Sequence, residues 1–279
     1  MTQVLAEAPG TIELHAHASK SHVSLVPARG ALITRWAVGD RERLYLDEAT
    51  LADPTKNVRG GIPLLFPSPG KLEDGRFTRG RASGAMKQHG FARDLPWTVT
   101  SQTEATVALA LASTDATRAV FPWDFAASLQ VVLSDVHLRL SLRVENTGTE
   151  TMPFGFGIHP YFVVHDKAHA HITTGATRAF DNVTRQTVPF HGFKLDEGET
   201  DLHLLDHGSK ESTLSADGGH ITVRTSPEFI RWVVWTLPGK EFVCLEPWTA
   251  PGNALNTGEG LLEVAPGDAK ELWIELEGG

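Results

Sequence analysis

The sequence predicts an all-β protein, a large antiparallel β-sandwich. Three observations carry this reading. Short segments alternate apolar and polar residues at the two-residue period of half-buried strands. Gly, Asp, Asn and Pro punctuate them as turns. Long amphipathic helical patterns are scarce. Many antiparallel strands in one long chain imply two large sheets packed face to face. The chain of 279 residues is read as one domain over residues 1–279, with no internal repeat and no low-complexity linker.

The elements follow in order. I-E-L-H-A-H-A-S at Ile12–Ser19 alternates strictly and reads as an opening strand. Val23–Val26 and Ala31–Val38 flank a P-A-R-G turn, and Arg43–Leu46 is a further short strand. Asp53–Arg93 breaks the rhythm: it is rich in Gly, Pro and basic residues, and long irregular segments are often functional. Thr98–Ser101 and Thr106–Ala112 read as one hairpin; Leu129–Ser134 and Val136–Val144 read as another, turning at Ser134-Asp135. Residues 165–220 show only weak strand signals, and their scattered histidines, His203 and His207 among them, read as surface or loop residues. Ile221–Thr225, Ile230–Leu237, Phe242–Trp248 and the closing Glu271–Glu277 are strong strands.

Composition narrows the function. Hydrophobic residues make up 41%, enough for a sizeable core, and the net charge of -9 argues against nucleic acid as a partner. Cys244 is the sole cysteine, which excludes an intrachain disulfide and a Cys-based zinc cluster and fits a reducing cytoplasm. The opening M-T-Q-V-L-A-E-A-P-G lacks a signal-peptide pattern. No apolar run reaches the roughly 20 residues that span a membrane. Nucleotide-binding glycine loops and the G-x-S-x-G elbow of serine hydrolases are absent.

Three groups of residues could carry chemistry. In P-F-G-F-G-I-H-P-Y-F at Pro153–Phe162, Pro160 biases the backbone of His159 towards an extended conformation. An imidazole held among aromatics can exchange protons near neutral pH; a satisfied core histidine is the alternative. The irregular segment offers Arg59 ahead of two glycines, and Gln88, His89 and Arg93 in Q-H-G-F-A-R. Two guanidinium groups could clamp one anion bidentately, or instead form surface ion pairs with Asp47, Glu48, Asp53 or Asp94. Glu246, ending an apolar strand before Pro247 and Trp248, suits a partly desolvated general base, unless it points to water.

The segments V-R-G-G-I-P-L-L-F-P (58–67), Q-H-G-F-A-R-D-L-P-W (88–97), F-G-I-H-P-Y-F (156–162) and L-E-P-W-T-A-P (245–251) occur in this order. Together they resemble the aldose 1-epimerase (galactose mutarotase-like) superfamily, most closely its glucose-6-phosphate 1-epimerase, or hexose-6-phosphate mutarotase, branch. The resemblance implies a β-sandwich with its site in a cleft on one sheet. It implies His159 as general acid, Glu246 as general base, and Arg59, Gln88 and Arg93 as substrate-binding residues, with His89 also against the sugar. The branch also carries an acidic substrate contact followed by a basic residue. Asp201 in E-T-D-L-H-L takes that place, although Leu202 follows it, and Asp206 is the other candidate. Residues 70–84 are longer and more basic than the branch pattern, with Lys71, Arg76, Arg79 and Arg81.

The resemblance thus implies a cytoplasmic, monomeric isomerase acting on a small sugar or sugar phosphate, without metal or organic cofactor. Glu246 would take the proton of the C1 hydroxyl while His159 protonates the ring oxygen. The opened aldehyde would then rotate and close on its other face. A mutarotase of unphosphorylated aldoses and a non-catalytic carbohydrate-binding protein on the same fold remain open alternatives. A glycoside hydrolase would want a second flanking carboxylate.

Overall fold

Two eight-stranded antiparallel sheets dominate the computed structural model, which describes residues 10–279. The reading of a missing leader, and the first residues of the 1–279 domain, therefore lie outside the described residues. In the first sheet the strand order is His171–Ile172, Glu211–Ala216, Gly219–Thr225, Ala269–Gly278, His137–Asn146, Phe125–Ser134, Thr106–Ala112 and Thr98–Gln102. In the second it is Gln186–Pro189, Arg178–Asp181, Thr200–Leu204, Arg231–Thr236, Phe242–Trp248, Gly157–Ile158 and Leu64–Leu65. The eighth strand, Tyr161–Val163, also pairs with Phe242–Trp248. A four-stranded N-terminal sheet (Ile12–Ala16, Ser21–Val26, Leu32–Val38, Arg41–Glu42) and two short ribbons complete the β-structure.

The two-residue period explains the core. Phe125, Ala127, Leu129, Val131 and Leu133 are buried on one face of their strand. Their partner strand buries Leu138, Leu140, Leu142 and Val144, with Leu129 opposite Leu142 and Val131 opposite Leu140. From the second sheet, Ile158, Leu204, Trp232, Val234, Val243 and Leu245 join the same apolar cluster. Each Val, Leu, Ile or Phe side chain so buried contributes roughly 1.5–3 kcal/mol on leaving water. The core thus lies between the sheets, and the other face of the second sheet is left for the residues that alternate with these.

The three α-helices among the described residues are single turns: Glu48–Ala52, Asp115–Arg118 and Ala254–Thr257. Asp47 caps the first through the Thr50 N–H, and Thr114 with Thr117 forms a capping box on the second. No described helix is long and apolar enough to cross a membrane.

Two expectations need correction. Arg43–Leu46 is not a strand: the strand lies at Arg41–Glu42, and Leu44 and Leu46 make single bridges to Phe162 and Gly60. Glu42 breaks the run, because its carboxylate accepts the N–H groups of Trp36, Arg43 and Leu44. Nor are His203 and His207 surface residues; both are buried. His207 is held by Thr174 Oγ1 and the Glu211 carbonyl, with its ring against Trp232.

Candidate active site

Strand register assembles the site. Along Phe242–Trp248, Val243 and Leu245 enter the main core, while Phe242, Cys244, Glu246 and Trp248 take the opposite face. Across the sheet, Glu246 lies opposite Val233, and Val233 lies opposite His203. Two residues along, Asp201 pairs with Trp235, Trp235 with Cys244, and Cys244 with Tyr161. One face therefore presents His203 and Glu246 in one row, and Asp201, Trp235, Cys244 and Tyr161 in the next.

His159 reaches this face from the turn between Gly157–Ile158 and Tyr161–Val163, its N–H held by the Pro63 carbonyl. Its ring stacks on Tyr161 at 4.7 Å between centroids and meets Trp235 edge-on at 5.5 Å. Its Nε2 stands 3.4 Å from Glu246 Oε1. On the other oxygen, the Trp248 indole N–H donates to Oε2 at 3.2 Å. The strand must come close here. A Cβ on Gly157, which pairs with Trp248, would lie 2.5 Å from the indole Cδ1. Only glycine fits without moving the ring that holds the carboxyl group.

Burial governs the protonation of this pair. Glu246 is 1% exposed, and burial, then the nearby charge of Asp201, push its carboxyl well above the usual carboxylate range. Burial and the Arg93 guanidinium push His159 down to about 3. Both groups are thus driven towards their uncharged forms.

The irregular segment supplies the rest of the wall. Gly90 has φ +73°, and a Cβ there would sit 2.2 Å from the Phe66 carbonyl oxygen, so this backbone crossing requires glycine. The crossing presents His89, whose ring is edge-on to both His159 and Trp248. The Gly70 N–H donates to His89 Nδ1 at 3.0 Å, which places the ring proton on Nε2. Burial, then neighbouring His159 and Arg93, keep this imidazole neutral.

Arg93 donates through Nη2 to the Gln88 carbonyl at 2.9 Å. Its guanidinium lies close enough to act on the titration of His159, His89 and Tyr161. Arg59, at the exposed rim, acts on Tyr45 and Tyr161. Among the described residues neither Arg59 nor Arg93 forms an ion pair with Asp47, Glu48, Asp53 or Asp94, although the Asp94 charge acts on Arg93: Asp53 pairs with Lys56, Asp94 with Lys87, and Asp47 caps its helix. Gln88 stands exposed, and its backbone carbonyl rather than its amide makes the contact with Arg93.

Asp201 lies in the cluster and Asp206 does not. Asp206 accepts from the Thr177 hydroxyl and the N–H groups of Thr177 and Arg178, which hold it at about 2. Asp201 stands 3.4 Å from His203 Nε2 and accepts from Asn182 Nδ2 at 2.7 Å. Burial alone would raise its carboxyl, but these two hydrogen bonds outweigh it and hold the group below its ordinary range. The basic neighbour missing at Leu202 is His203, two residues on and therefore on the same strand face. Its ring packs edge-on against Trp248 at 5.2 Å. The alternation in E-T-D-L-H-L carried that signal. Asn182, from the turn after Arg178–Asp181, carried none.

Among the described residues, three metal-ligating groups converge at one place: His159, Cys244 and Glu246 offer donor atoms within 4.8 Å of one another. Burial pushes the Cys244 thiol well up, as it does the Glu246 carboxyl. A metal bound there would have to displace both protons. The basic residues of 70–84 form the Arg76–Arg79/Ala82–Ala85 ribbon, where Arg79 pairs with Glu263 at 2.7 Å. Lys71, just before it, lies near enough to His89 to influence it.

A family model described as aldose 1-epimerase matches residues 11–277. Over 254 residues the chain is 25% identical to a protein of Cenchrus ciliaris provisionally named glucose-6-phosphate 1-epimerase, covering 78% of this chain and 72% of that protein. A Salmonella typhimurium protein with the same provisional name is 28% identical over 185 residues, covering 64% and 58% respectively. Among solved structures, the Slr1438 protein of Synechocystis sp. PCC 6803 superposes with a TM-score of 0.95 at 36% identity, covering 100% of this chain and 99% of that one. A galactose mutarotase-like protein from Lactobacillus casei shares the fold, with a TM-score of 0.80 at 22% identity over 97% of this chain and 100% of that one. With these strands, this cluster and a family match over nearly the whole chain, the chain belongs to the aldose 1-epimerase family.

Proposed function

We propose that this epimerase-family protein is a mutarotase of hexose 6-phosphates, glucose 6-phosphate being the first candidate. The observation that carries the acid–base part is the buried pair of His159 Nε2 and Glu246 Oε1 at 3.4 Å. Both oxygens of an anomeric carbon, the C1 hydroxyl and the ring oxygen, can be met by two such groups at once. The Glu246 carboxylate takes the hydroxyl proton as the C1 carbonyl forms. Protonated His159 gives its proton to the ring oxygen as the C1–O5 bond breaks. The aldehyde turns about C1–C2, and the reverse transfers close the ring on the other face. Each positioned transfer contributes roughly 10²–10⁴-fold. Asp201, His203 and His89 line the same face and supply hydrogen bonds to sugar hydroxyls; Trp235 and Trp248 supply flat apolar surface.

Cations without carboxylate partners support the phosphate. Among the described residues, neither Arg59 nor Arg93 is in a salt bridge, and Lys71 lies near enough to His89 to act on it. Such groups beside a neutral imidazole suit a phosphate dianion better than a hydroxymethyl group. The names of the Cenchrus and Salmonella relatives point the same way.

The test is two-dimensional exchange NMR on the anomeric protons of glucose 6-phosphate, glucose and galactose, each with a catalytic amount of protein. Acceleration of the phosphate ester, reduced roughly tenfold or more by Arg93→Gln, is the expected result. Acceleration of the neutral sugars alone would keep the acid–base pair and discard the phosphate. No acceleration of any of the three would remove the proposed activity.

A further inference from the structure

A cavity of about 370 Å³ lies where Asp40–Arg43 of the N-terminal sheet meets the hairpin turn Asp217–Ile221, and it shares no lining residue with the His159–Glu246 cluster. Arg43 is its unusual member. The residue is 6% exposed, and its Nε is buried without a hydrogen-bond partner. Among the described residues no acceptor or carboxylate engages its guanidinium. The side chain runs between other groups: a Cβ placed on Gly278 would lie 3.0 Å from Val38, 3.4 Å from Arg43 Nε and 3.4 Å from Trp36. Arg41 lines the same cavity and, among the described residues, donates to the carbonyls of Ala216 and Asp217 at 3.2 Å and 2.9 Å.

Two of the neighbouring carboxylates are committed elsewhere. Glu42 takes three backbone N–H groups and the Arg35 guanidinium, and Asp217 takes the N–H groups of His165 and Asp166. Asp40 lines the cavity but is exposed and bonds neither arginine. His165 and His220 add two imidazoles to the lining, His165 paired with Glu241 at 3.2 Å. Burial and the Arg41 charge already weaken the hold of Arg43 on its proton. A buried guanidinium nitrogen without an acceptor is costly, and an acceptor that enters recovers that cost.

We infer that this cavity is a second binding site, for a small oxyanion, a phosphate or carboxylate group held by Arg43 and Arg41. It stands independently of the proposed activity, because neither arginine faces the sugar cluster. Such a site would let the protein respond to an anion other than its substrate.

Inorganic phosphate is titrated into the ¹⁵N-labelled full chain at constant ionic strength, with acetate as a parallel arm. The expected result is a saturable shift of the Arg43 Nε–H signal and of the Gly219 and His220 amides. It persists in Arg93→Gln, which removes a cation from the sugar cluster. It weakens roughly tenfold or more in Arg43→Met, the loss of one charge-assisted contact. If that variant does not fold, Arg41→Gln is expected to weaken binding in the same direction. Saturation by phosphate alone names a phosphate ligand, and by acetate alone a carboxylate. No saturable shift around the cavity with either anion, or shifts unchanged in the folded arginine variants, would overturn the proposal.

Discussion

Replacing Glu246 by glutamine separates the chemistry of the pair from its packing. The amide has nearly the shape of the carboxyl group. Its oxygen can accept from the Trp248 indole N–H, now at 3.2 Å from Oε2, and its N–H₂ can donate to His159 Nε2 across the 3.4 Å gap. The fold is therefore retained, while the group that accepts the C1 hydroxyl proton is gone. Loss of one positioned proton transfer lowers turnover by about 10²–10⁴-fold. Stability gives a second, independent readout. A carboxyl whose value is raised on folding contributes stability that is complete below its unfolded value, near 4.5, and is lost as pH rises through the folded value. The wild type should thus lose stability relative to the glutamine variant from pH 4.5 upward. The slope is about 1.4 kcal/mol per pH unit until the folded carboxyl ionises. The assays are anomeric exchange NMR for turnover and urea denaturation at stepped pH for stability. Turnover within tenfold of wild type would remove Glu246 as the base. A stability difference independent of pH would refute the burial argument.

Three further predictions follow from the same geometry. Asn182→Ala removes the 2.7 Å bond that orients Asp201, a charged hydrogen bond worth roughly 1.5–3 kcal/mol. KM for the sugar should rise about tenfold with kcat changed less, and the Asp201 carboxyl should titrate higher by ¹³C NMR; an unchanged KM would count against Asp201 as a substrate contact. Gly157→Ala pushes a methyl group into the Trp248 indole at 2.5 Å, and overpacking of this kind costs about 1–3 kcal/mol. A melting temperature lowered by several degrees, with loss of exchange activity, is expected in calorimetry and the NMR assay. His159→Asn removes a group held at about 3 against an ordinary 6.5, whose stabilising contribution is present above pH 6.5 and lost as pH falls towards 3. Acid denaturation should accordingly shift to lower pH in the variant, and an unchanged acid midpoint would show that His159 is not the buried group that fails.

Of the strands that carry the site, Phe242–Trp248 was legible as a short apolar run and Thr200–Leu204 was not. Phe242–Trp248 is buried along its whole length, so pairing rather than composition separates Val243 and Leu245, in the main core, from Cys244 and Glu246. The hairpin turning at Ser134-Asp135 was legible from its two-residue period, with Ser134 facing His137 in register. Residues 165–220 resisted because their strands are short and half-exposed. The ribbon Arg178–Asp181/Gln186–Pro189 buries only Ala179. His203 was lost among seven histidines between 165 and 220, since no local spacing shows that it faces Val233 and so shares a row with Glu246. Gln88 adds something its motif does not state: its side chain is exposed, and its backbone carbonyl holds Arg93. Sequence reports residue types in order; which face a residue takes is set by pairing partners distant in the chain.

The protonation of the central pair links the fold to the mechanism. Burial favours a protonated Glu246 and a neutral His159, and this form carries one titratable proton beyond the imidazole N–H. The form needed for ring opening, an ionised carboxylate beside an imidazolium, carries one such proton as well. The two differ by a shift of that proton across the 3.4 Å between Oε1 and Nε2, with no exchange with solvent. A polar sugar settling against the two groups replaces apolar surroundings with hydroxyl donors and acceptors, which favours the separated charges. Asp201, kept ionised by His203 and Asn182, lies near enough to raise both groups and so helps hold the proton on the pair. Activity should then persist from about pH 3 up to the raised value of Glu246, and fall on the alkaline side as the shared proton is lost. A rate that instead rose continuously through alkaline pH would mean that the proton on this pair is not required, and that hydroxide or another group opens the ring.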